Sequence, residues 1–290
     1  MKSGFVSVVG RPNVGKSTLV NALVGTKVAI TSPRPQTTRN SIRGIVDRDG
    51  LQVVLIDTPG LHRPRTALGE RLNRVVEGSL AESDAVLFVL DATARIGPGD
   101  RLIAERLAAA TAPVIVVVNK ADTASREQIT DQLAEAGDWD FEAYVPVSAL
   151  LEENLGPIVE VLEGLLPEGP GYFPPGTRTD QPEEFLIGEL IREKFLARLR
   201  EELPHSLAVV VEEMEEQDNG VLRIEARLVV ERQSQKGIVI GKGGAVIKEA
   251  ATEARLEIER LLGTRVFLEA RVKVEKDWQQ RPGIIERLGM

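Results

Sequence analysis

Residues 5–17 read Phe-Val-Ser-Val-Val-Gly-Arg-Pro-Asn-Val-Gly-Lys-Ser, an apolar β-branched run, a glycine-bounded loop, and then Ser17-Thr18-Leu19, which opens a helix. Gly10 and Gly15 let the backbone between them curl, so that the N–H groups around Asn13, Val14 and Thr18 face one concavity. The positive end of the helix dipole points into the same cup. Such a cup takes a polyphosphate. Lys16 is spaced to reach the outer phosphates, and the Ser17 hydroxyl to bind Mg²⁺. A plain glycine turn with a surface lysine would not require a strand before it and a helix after it.

Outward from this loop, Val53 to Ile56, Ala85 to Leu90, Val114 to Val118 and Ala143 to Val147 are further short apolar runs. Leu68 to Glu82, Asp100 to Ala110, Arg126 to Ala136 and Asn154 to Leu166 carry helical periodicity between them. Near-continuous apolar strands alternating with helices predict an α/β domain with a mostly parallel, doubly wound sheet, covered on both faces. Ile42 to Asp47 and Leu51 to Ile56 flank Asp49-Gly50, which predicts one antiparallel hairpin. Residues 167–182 hold five prolines and three glycines, and are expected to be a linker between domain 1–166 and domain 183–290. The second domain has a different order: helix Glu183 to Glu202, strand Ser206 to Glu213, a turn at Asp218-Asn219-Gly220, strand Val221 to Glu231, a glycine loop, helix Ala245 to Leu262 and strand Arg265 to Lys276. That order is α+β.

Ligands of open α/β sheets collect at the carboxyl ends of strands, and three more motifs fall there. Asp57-Thr58-Pro59-Gly60 follows the Val53 run: Asp57 is expected to hold Mg²⁺ together with Ser17, and the Gly60 N–H to sense the γ-phosphate. Thr38, in the aperiodic segment Ser32 to Arg39, is the threonine expected to close over metal and γ-phosphate. Lys16, Thr38 and Gly60 are thus the candidate catalytic residues, and Ser17, Thr38 and Asp57 the candidate metal ligands. Asn119-Lys120-Ala121-Asp122 follows the run Val114 to Val118, and Ser148-Ala149-Leu150 follows the run ending at Val147. A carboxylate at Asp122 accepts from guanine N1–H and the 2-amino group, where adenine offers no such donors. Leaving a charged acceptor unmatched costs roughly 1.5–3 kcal/mol per bond, so GTP is expected over ATP. The Lys120 stem is expected to cover the base, Asn119 to tie the loops together, and the Ala149 N–H to donate to guanine O6.

With these five motifs, residues 1 to about 165 resemble a translation-factor-class GTPase. Where the Ras-like pattern has a water-orienting glutamine after Asp-x-x-Gly, this chain has Leu61, so slow intrinsic hydrolysis is expected. In some related GTPases an asparagine at the position of Asn13 helps hold a K⁺ in place of an arginine finger, and K⁺ activation is an expectation on that resemblance.

A second glycine loop follows the linker: Gly237-Ile-Val-Ile240-Gly241-Lys242-Gly243-Gly244-Ala-Val-Ile-Lys248. Arg232, Lys236, Lys242 and Lys248 are close by, and no acid occurs from Gln233 to Lys248. Gly-x-x-Gly brings backbone close to phosphates, and this arrangement clamps about four nucleotides of single-stranded RNA in KH domains. Lys236, Ile240, Gly241, Lys242, Gly243, Gly244 and Lys248 are therefore the candidate RNA contacts. The element order resembles the bacterial, type II KH domain. Residues from Gln181 onward carry 18 basic and 21 acidic side chains, so the positive face must be local. Few aromatics occur in this part, which predicts base recognition with little stacking.

A GTPase domain followed by such a KH domain is similar to the Era family across essentially the whole chain, with Gly-Arg-Pro-Asn-Val-Gly-Lys-Ser, Pro35-Gln36-Thr37-Thr38-Arg39, Asp-Thr-Pro-Gly and Ile-Gly-Lys-Gly-Gly as its marks. The resemblance implies a GTP- and GDP-binding monomer that matures the small ribosomal subunit by gripping the 3′ end of its rRNA. It also implies a cytoplasmic location with loose, peripheral association with the inner membrane. One departure is Ala250-Ala251, where relatives usually have Ile-Gly, read here as a packing variant.

Composition narrows the field from the other side. The 290 residues contain no cysteine, which excludes a disulfide framework, a cysteine-bound metal and a thiol nucleophile. A net charge of −8 excludes nucleic-acid binding by overall positive charge. No 18-residue apolar run occurs, and the start Met-Lys-Ser-Gly-Phe-Val is read as a strand, not a signal peptide. Two other readings stay open: an RNA-binding module whose nucleotide site is structural, and a metabolic kinase, against which Asn-Lys-x-Asp speaks. His62 and His205 are read as incidental, and the acidic run Glu212 to Asp218 as a solvated face.

Overall fold

The computed structural model describes residues 1–32, 34, 37–60, 66–200 and 202–290, so Pro35, Gln36, Leu61 and His62 of the sequence reading lie outside the described residues. Contacts divide the chain into two units, mainly residues 1–180 and mainly residues 181–290.

In the first unit the strands are β1 (Lys2–Val9), β2 (Ile42–Arg48), β3 (Leu51–Asp57), β4 (Ala85–Asp91), β5 (Val114–Asn119) and β6 (Ala143–Pro146), in the sheet order β2-β3-β1-β4-β5-β6. All pairings are parallel except β2–β3, the hairpin closed at Asp49-Gly50. The helices are α1 (Lys16–Val24), α2 (Ala67–Ala81), α3 (Pro98–Ala108), α4 (Arg126–Gly137) and α5 (Gly156–Leu165). Along β4, Leu87 and Val89 face the layer of α1 and α5, while Val86, Phe88 and Leu90 face the layer holding Val76 of α2, Ile103 and Leu107 of α3 and Ala136 of α4. Each such side chain contributes about 1.5–3 kcal/mol on burial, so every residue of the strand must be apolar, and the periodicity of 2 disappears from the sequence.

The proline-rich segment is not a free connector. Residues 167–180 belong to the first unit and strap its sheet. Gln52, 2% exposed, accepts at Oε1 from the Tyr172 and Phe173 N–H groups (2.7 and 2.9 Å), and its Nε2 donates to Phe173 O at 3.0 Å. Ser3 N–H donates to Pro167 O, Ile45 N–H to Arg178 O, and Arg43 pairs with Asp180 at 2.6 Å. Prolines cannot donate to a ladder, but their carbonyls accept from it, and β1 uses that of Pro167 in this way, while β2 uses the carbonyl of Arg178.

The second unit contains α6 (Glu183–Leu196), α7 (Leu203–Ser206), β7 (Ala208–Glu216), β8 (Val221–Val230), α8 (Gln233–Ile240), α9 (Ala245–Leu262), β9 (Arg265–Val274) and α10 (Pro282–Arg287). Its sheet runs β7-β8-β9, with β7 antiparallel and β9 parallel to β8. Three expectations are corrected here. The first helix ends at Leu196 instead of Glu202; the chain turns so that Leu199 is buried, and Pro204, with no N–H to continue a helix, starts α7 in its first turn. Ser206 is therefore helical and β7 begins at Ala208. The run Gly237 to Ile240 is helix, not extended loop: Gln235 Oε1 accepts from the Glu231 and Arg232 N–H groups (2.8 and 3.0 Å), capping α8, and Val239 is fully buried. Trp278, also fully buried, donates from Nε1 to Ser206 O at 2.9 Å. No helix among the described residues is long and apolar enough to cross a membrane.

Candidate functional site

The loop Gly10 to Gly15 joins β1 to α1, and Leu19 N–H donates to Gly15 O in the first helical turn. Gly15 has φ 97°, and a Cβ there would lie 2.2 Å from Asn119 Nδ2, so the position excludes any side chain. Asn13 is exposed and also left-handed, at φ 65°. Lys16, 6% exposed, donates from Nζ to Gly10 O (3.1 Å) and Arg11 O (3.0 Å), which fixes its ammonium at the mouth of the loop.

Three separate segments converge beside it. Asp57, with no exposed surface, accepts at Oδ2 from Ser17 Oγ (2.6 Å) and Thr38 Oγ1 (3.3 Å), and the two hydroxyls are 3.0 Å apart. Asp57 Oδ1 is buried and has no hydrogen-bond partner among the described residues. Burial raises the Asp57 carboxyl to about 6, although Ser17, Lys16 and Thr38 all favour its charged form. Burial likewise lowers Lys16 to about 8, against the pull of Asp57. Two hydroxyl oxygens and one carboxylate, whose second oxygen is orphaned, form a hard-oxygen donor set, which fits Mg²⁺. Thr58 is held by its hydroxyl to Val8 O at 2.7 Å, and Pro59 is buried, which delivers Gly60 to the phosphate loop.

At the other end of the pocket, Ser148 Oγ donates to Asp122 Oδ1 at 2.7 Å, leaving the other oxygen of the exposed carboxylate for a ligand. Asn119 ties two loops: Nδ2 donates to Val14 O (2.9 Å), and Oδ1 accepts from Ala149 N–H (3.0 Å). The Ala149 N–H expected at guanine O6 thus already has a partner inside the protein, because Asn119, 2% exposed, needs a donor for its buried oxygen. Lys120 is at φ 68°, and its ammonium is anchored on Asp91 Oδ2 at 2.5 Å. Burial raises the Asp91 carboxyl, but hydrogen bonds from Lys120 and Thr93 outweigh it, so the net shift is downward. Leu150 lies at the rim, 73% exposed.

In the second unit, Gly241 to Gly244 make the tight turn between α8 and α9, with Lys242 and Gly243 exposed at its tip. Lys236 and Ile240 come from α8, and Lys248 from the first turns of α9. A groove of about 280 Å³ runs from there between α9 and β9, lined by Ile247, Lys248, Ala251, Thr252, Arg255, Leu268 and Ala270. The sequence reading stopped at Lys248. The i, i+4 spacing of 247/251/255 and 248/252 was available to extend it along α9, but nothing in the sequence pairs that face with 268 and 270. Ala250 is fully buried and Ala251 lines the groove, so the two alanines divide between core and groove.

Residues 5–120 match the family described as 50S ribosome-binding GTPase, and residues 202–279 the KH domain. Proteins called GTPase Era from Mycobacterium avium (53% identical over 295 residues) and Mycobacterium tuberculosis (52% over 294) each match 99% of this chain and 98% of their own length. Two solved structures superpose with 39% identity over 100% of this chain and 99% of theirs: a variant of Aquifex aeolicus Era bound to GDP·AlF₄⁻ (TM-score 0.95), and Era in complex with MgGDPNP and nucleotides 1506–1542 of 16S ribosomal RNA (TM-score 0.96). With a phosphate loop, an acid set to read a purine and a glycine-turn groove on one polypeptide, the chain belongs to the Era family of GTPases, a GTP-hydrolysing domain followed by a KH domain.

Proposed function

We propose that this GTPase is an RNA-binding switch that grips the 3′ end of small-subunit rRNA through its KH groove during assembly of the small ribosomal subunit, with the bound nucleotide governing the grip. The supporting observation is the meeting of Ser17, Thr38 and Asp57 within hydrogen-bond distance, since Thr38 comes from the loop that would be ordered or released by a γ-phosphate. In this reading Gly10, Asn13, Val14, Gly15 and Thr18 cradle the phosphates, and Lys16 neutralises charge developing on the transferred group. The Gly60 N–H donates to the γ-phosphate, and Asp122 selects guanine. Ser17, Thr38 and Asp57 would hold Mg²⁺, which when bound neutralises charge on the phosphate oxygens. Water attacks the γ-phosphorus in line, giving GDP and phosphate.

Exposed Lys242 and Lys248 supply phosphate contacts of the KH groove, which makes RNA binding salt-dependent, and steeply so if several phosphates are neutralised. Support for the RNA target is the likeness to the Era structure that carries 16S nucleotides. K⁺ beside Asn13, a monomeric state, and a cytoplasmic location with peripheral membrane association belong to the same reading. Equal turnover in NaCl and KCl would dismiss the K⁺ site. The deciding experiment titrates a small-subunit 3′-terminal RNA against the protein with a GTP analogue, with GDP and with no nucleotide. The switch predicts affinities that differ at least tenfold between the first two; affinity independent of nucleotide would make the GTP site structural.

A further inference from the structure

The second residue of the phosphate loop, Arg11, has no role in the reading above, yet it is fixed at both ends. Its Nε donates to Asp100 Oδ1 at 2.8 Å, and its carbonyl accepts from Lys16 Nζ at 3.0 Å. Asp100 lies in the first turn of α3 with its side chain 1% exposed, whereas that of Arg11 is 35% exposed. The same carboxylate caps its own helix, since Oδ2 accepts from Gly97 N–H at 2.9 Å. One oxygen holds α3 and the other holds the phosphate loop.

Packing around this pair is tight on two sides. A Cβ on Gly99 would lie 2.9 Å from Arg11 Cδ, so the arginine stem lies directly on the first turn of α3. On the far side of the loop, a Cβ on Gly60 would meet Pro12 N and Cγ at 2.9 Å. Residues 11 and 12 are therefore wedged between the start of α3 and Gly60, with Lys16 tied to the carbonyl of Arg11. An ion pair with one fully buried member is costly to break from either side.

We infer that Arg11 and Asp100 are a positioning pair for GTP hydrolysis, setting the height of the phosphate loop against Gly60 and aiming Lys16. Neither residue belongs to the base-reading motifs or to the KH domain. The pair acts through Lys16 and Gly60, so its loss displaces groups that stabilise the transferred phosphoryl group more than groups that hold GDP. Displacements of about 1 Å at such groups cost between tenfold and a hundredfold in rate. The inference rests on the assignment of Lys16 and Gly60 to the phosphates.

The test compares wild type with Arg11→Gln, Asp100→Asn, the double variant and Gly99→Ala in the full-length protein, measuring kcat and KM for GTP, fluorescent GDP affinity and melting temperature. Asn at 100 still accepts from Gly97 N–H, so the α3 cap survives. Gly99→Ala leaves every charge in place and favours helix, but pushes the Arg11 stem away. The expected result is a kcat at least tenfold lower in all four proteins, GDP affinity within about threefold of wild type, and a double variant no worse than either single one. The melting temperature of Gly99→Ala should not fall, which separates positioning from mere stability. Unchanged kcat in Arg11→Gln and Gly99→Ala, or losses that add in the double variant, would overturn the pair. Absence of guanine-nucleotide binding in the wild-type protein would instead overturn the pocket and the pair together.

Discussion

Ser148 Oγ donates to Asp122 Oδ1 at 2.7 Å, so a residue at the end of β6 orients the carboxylate that follows β5. One oxygen is fixed before any ligand arrives, and the other is directed outward. Replacing Asp122 with Asn exchanges an acceptor for a donor, which suits the 2-oxo group of xanthine and repels the 2-amino group of guanine. With two charged hydrogen bonds at stake, each about 1.5–3 kcal/mol, Asp122→Asn should lose at least a hundredfold in GTP affinity and gain XTP binding. Calorimetry with both nucleotides reads this directly, and retained GTP preference would refute it.

Asn119→Ala should affect both folding and binding. It leaves Val14 O and Ala149 N–H, both in buried residues, without their partner. At about 1–3 kcal/mol for each stranded group, urea unfolding of the nucleotide-free protein should show a loss of roughly 2–6 kcal/mol. The loss should exceed that of Asp122→Asn, whose carboxylate is exposed.

Asp57 and Lys16 imply a pH dependence of defined sign. Asp57, at about 6 against an ordinary 3.8, binds its proton more tightly when folded, so its contribution to stability is full below about pH 4 and is lost as pH rises through 6. Lys16, at about 8 against 10.5, holds its proton less tightly when folded, so its contribution is full above 10.5 and is lost as pH falls through 8. Between about 6 and 8 both charged groups are penalised. Asp57→Asn should therefore leave the nucleotide-free melting temperature at pH 7 unchanged or higher, while abolishing stabilisation by GTP with Mg²⁺. In the wild type that stabilisation should shrink below pH 6, where a proton competes with the cation for the carboxylate. Scanning calorimetry at pH 5 and 7 measures both.

Gly243→Asp should weaken RNA binding at least tenfold and leave GDP affinity nearly unchanged. Gly243 is exposed at φ 60°, a region that Asp tolerates, and a Cβ there meets nothing within 4 Å, so the turn should survive with a repelling charge at its tip. Fluorescence anisotropy across a salt series gives both numbers. If nucleotide binding were lost as well, the two sites would not be independent.

Gln52→Leu should release the strap. The side chain makes three hydrogen bonds to the backbone of Tyr172 and Phe173, and leucine makes none of them. Limited proteolysis should cut between residues 167 and 180 faster than in the wild type, with GTP affinity retained. Equal cleavage rates would show that the Pro167 and Arg178 carbonyls bonded to β1 and β2 hold the segment without it.

The amino-acid sequence alone determined the parallel α/β unit, the phosphate loop, the acid at 122 and the glycine turn at 241–244. All of these depend on short-range chemistry: glycine where backbone must curl, β-branched runs for covered strands, and a carboxylate or hydroxyl at a strand's end. Tertiary structure alone decided where long-range partners fall. Residues 167–180 read as a spacer by composition, yet their carbonyls and N–H groups complete a sheet about 120 residues away, at Gln52. The run Gly237 to Ile240 has the β-branched character of a strand, and is helical because Gln235 caps it and Val239 finds a buried place. Ala149 N–H serves Asn119, and Arg11 reaches Asp100, because burial requires each polar group to find a partner, and no local pattern records which partner the fold brings near.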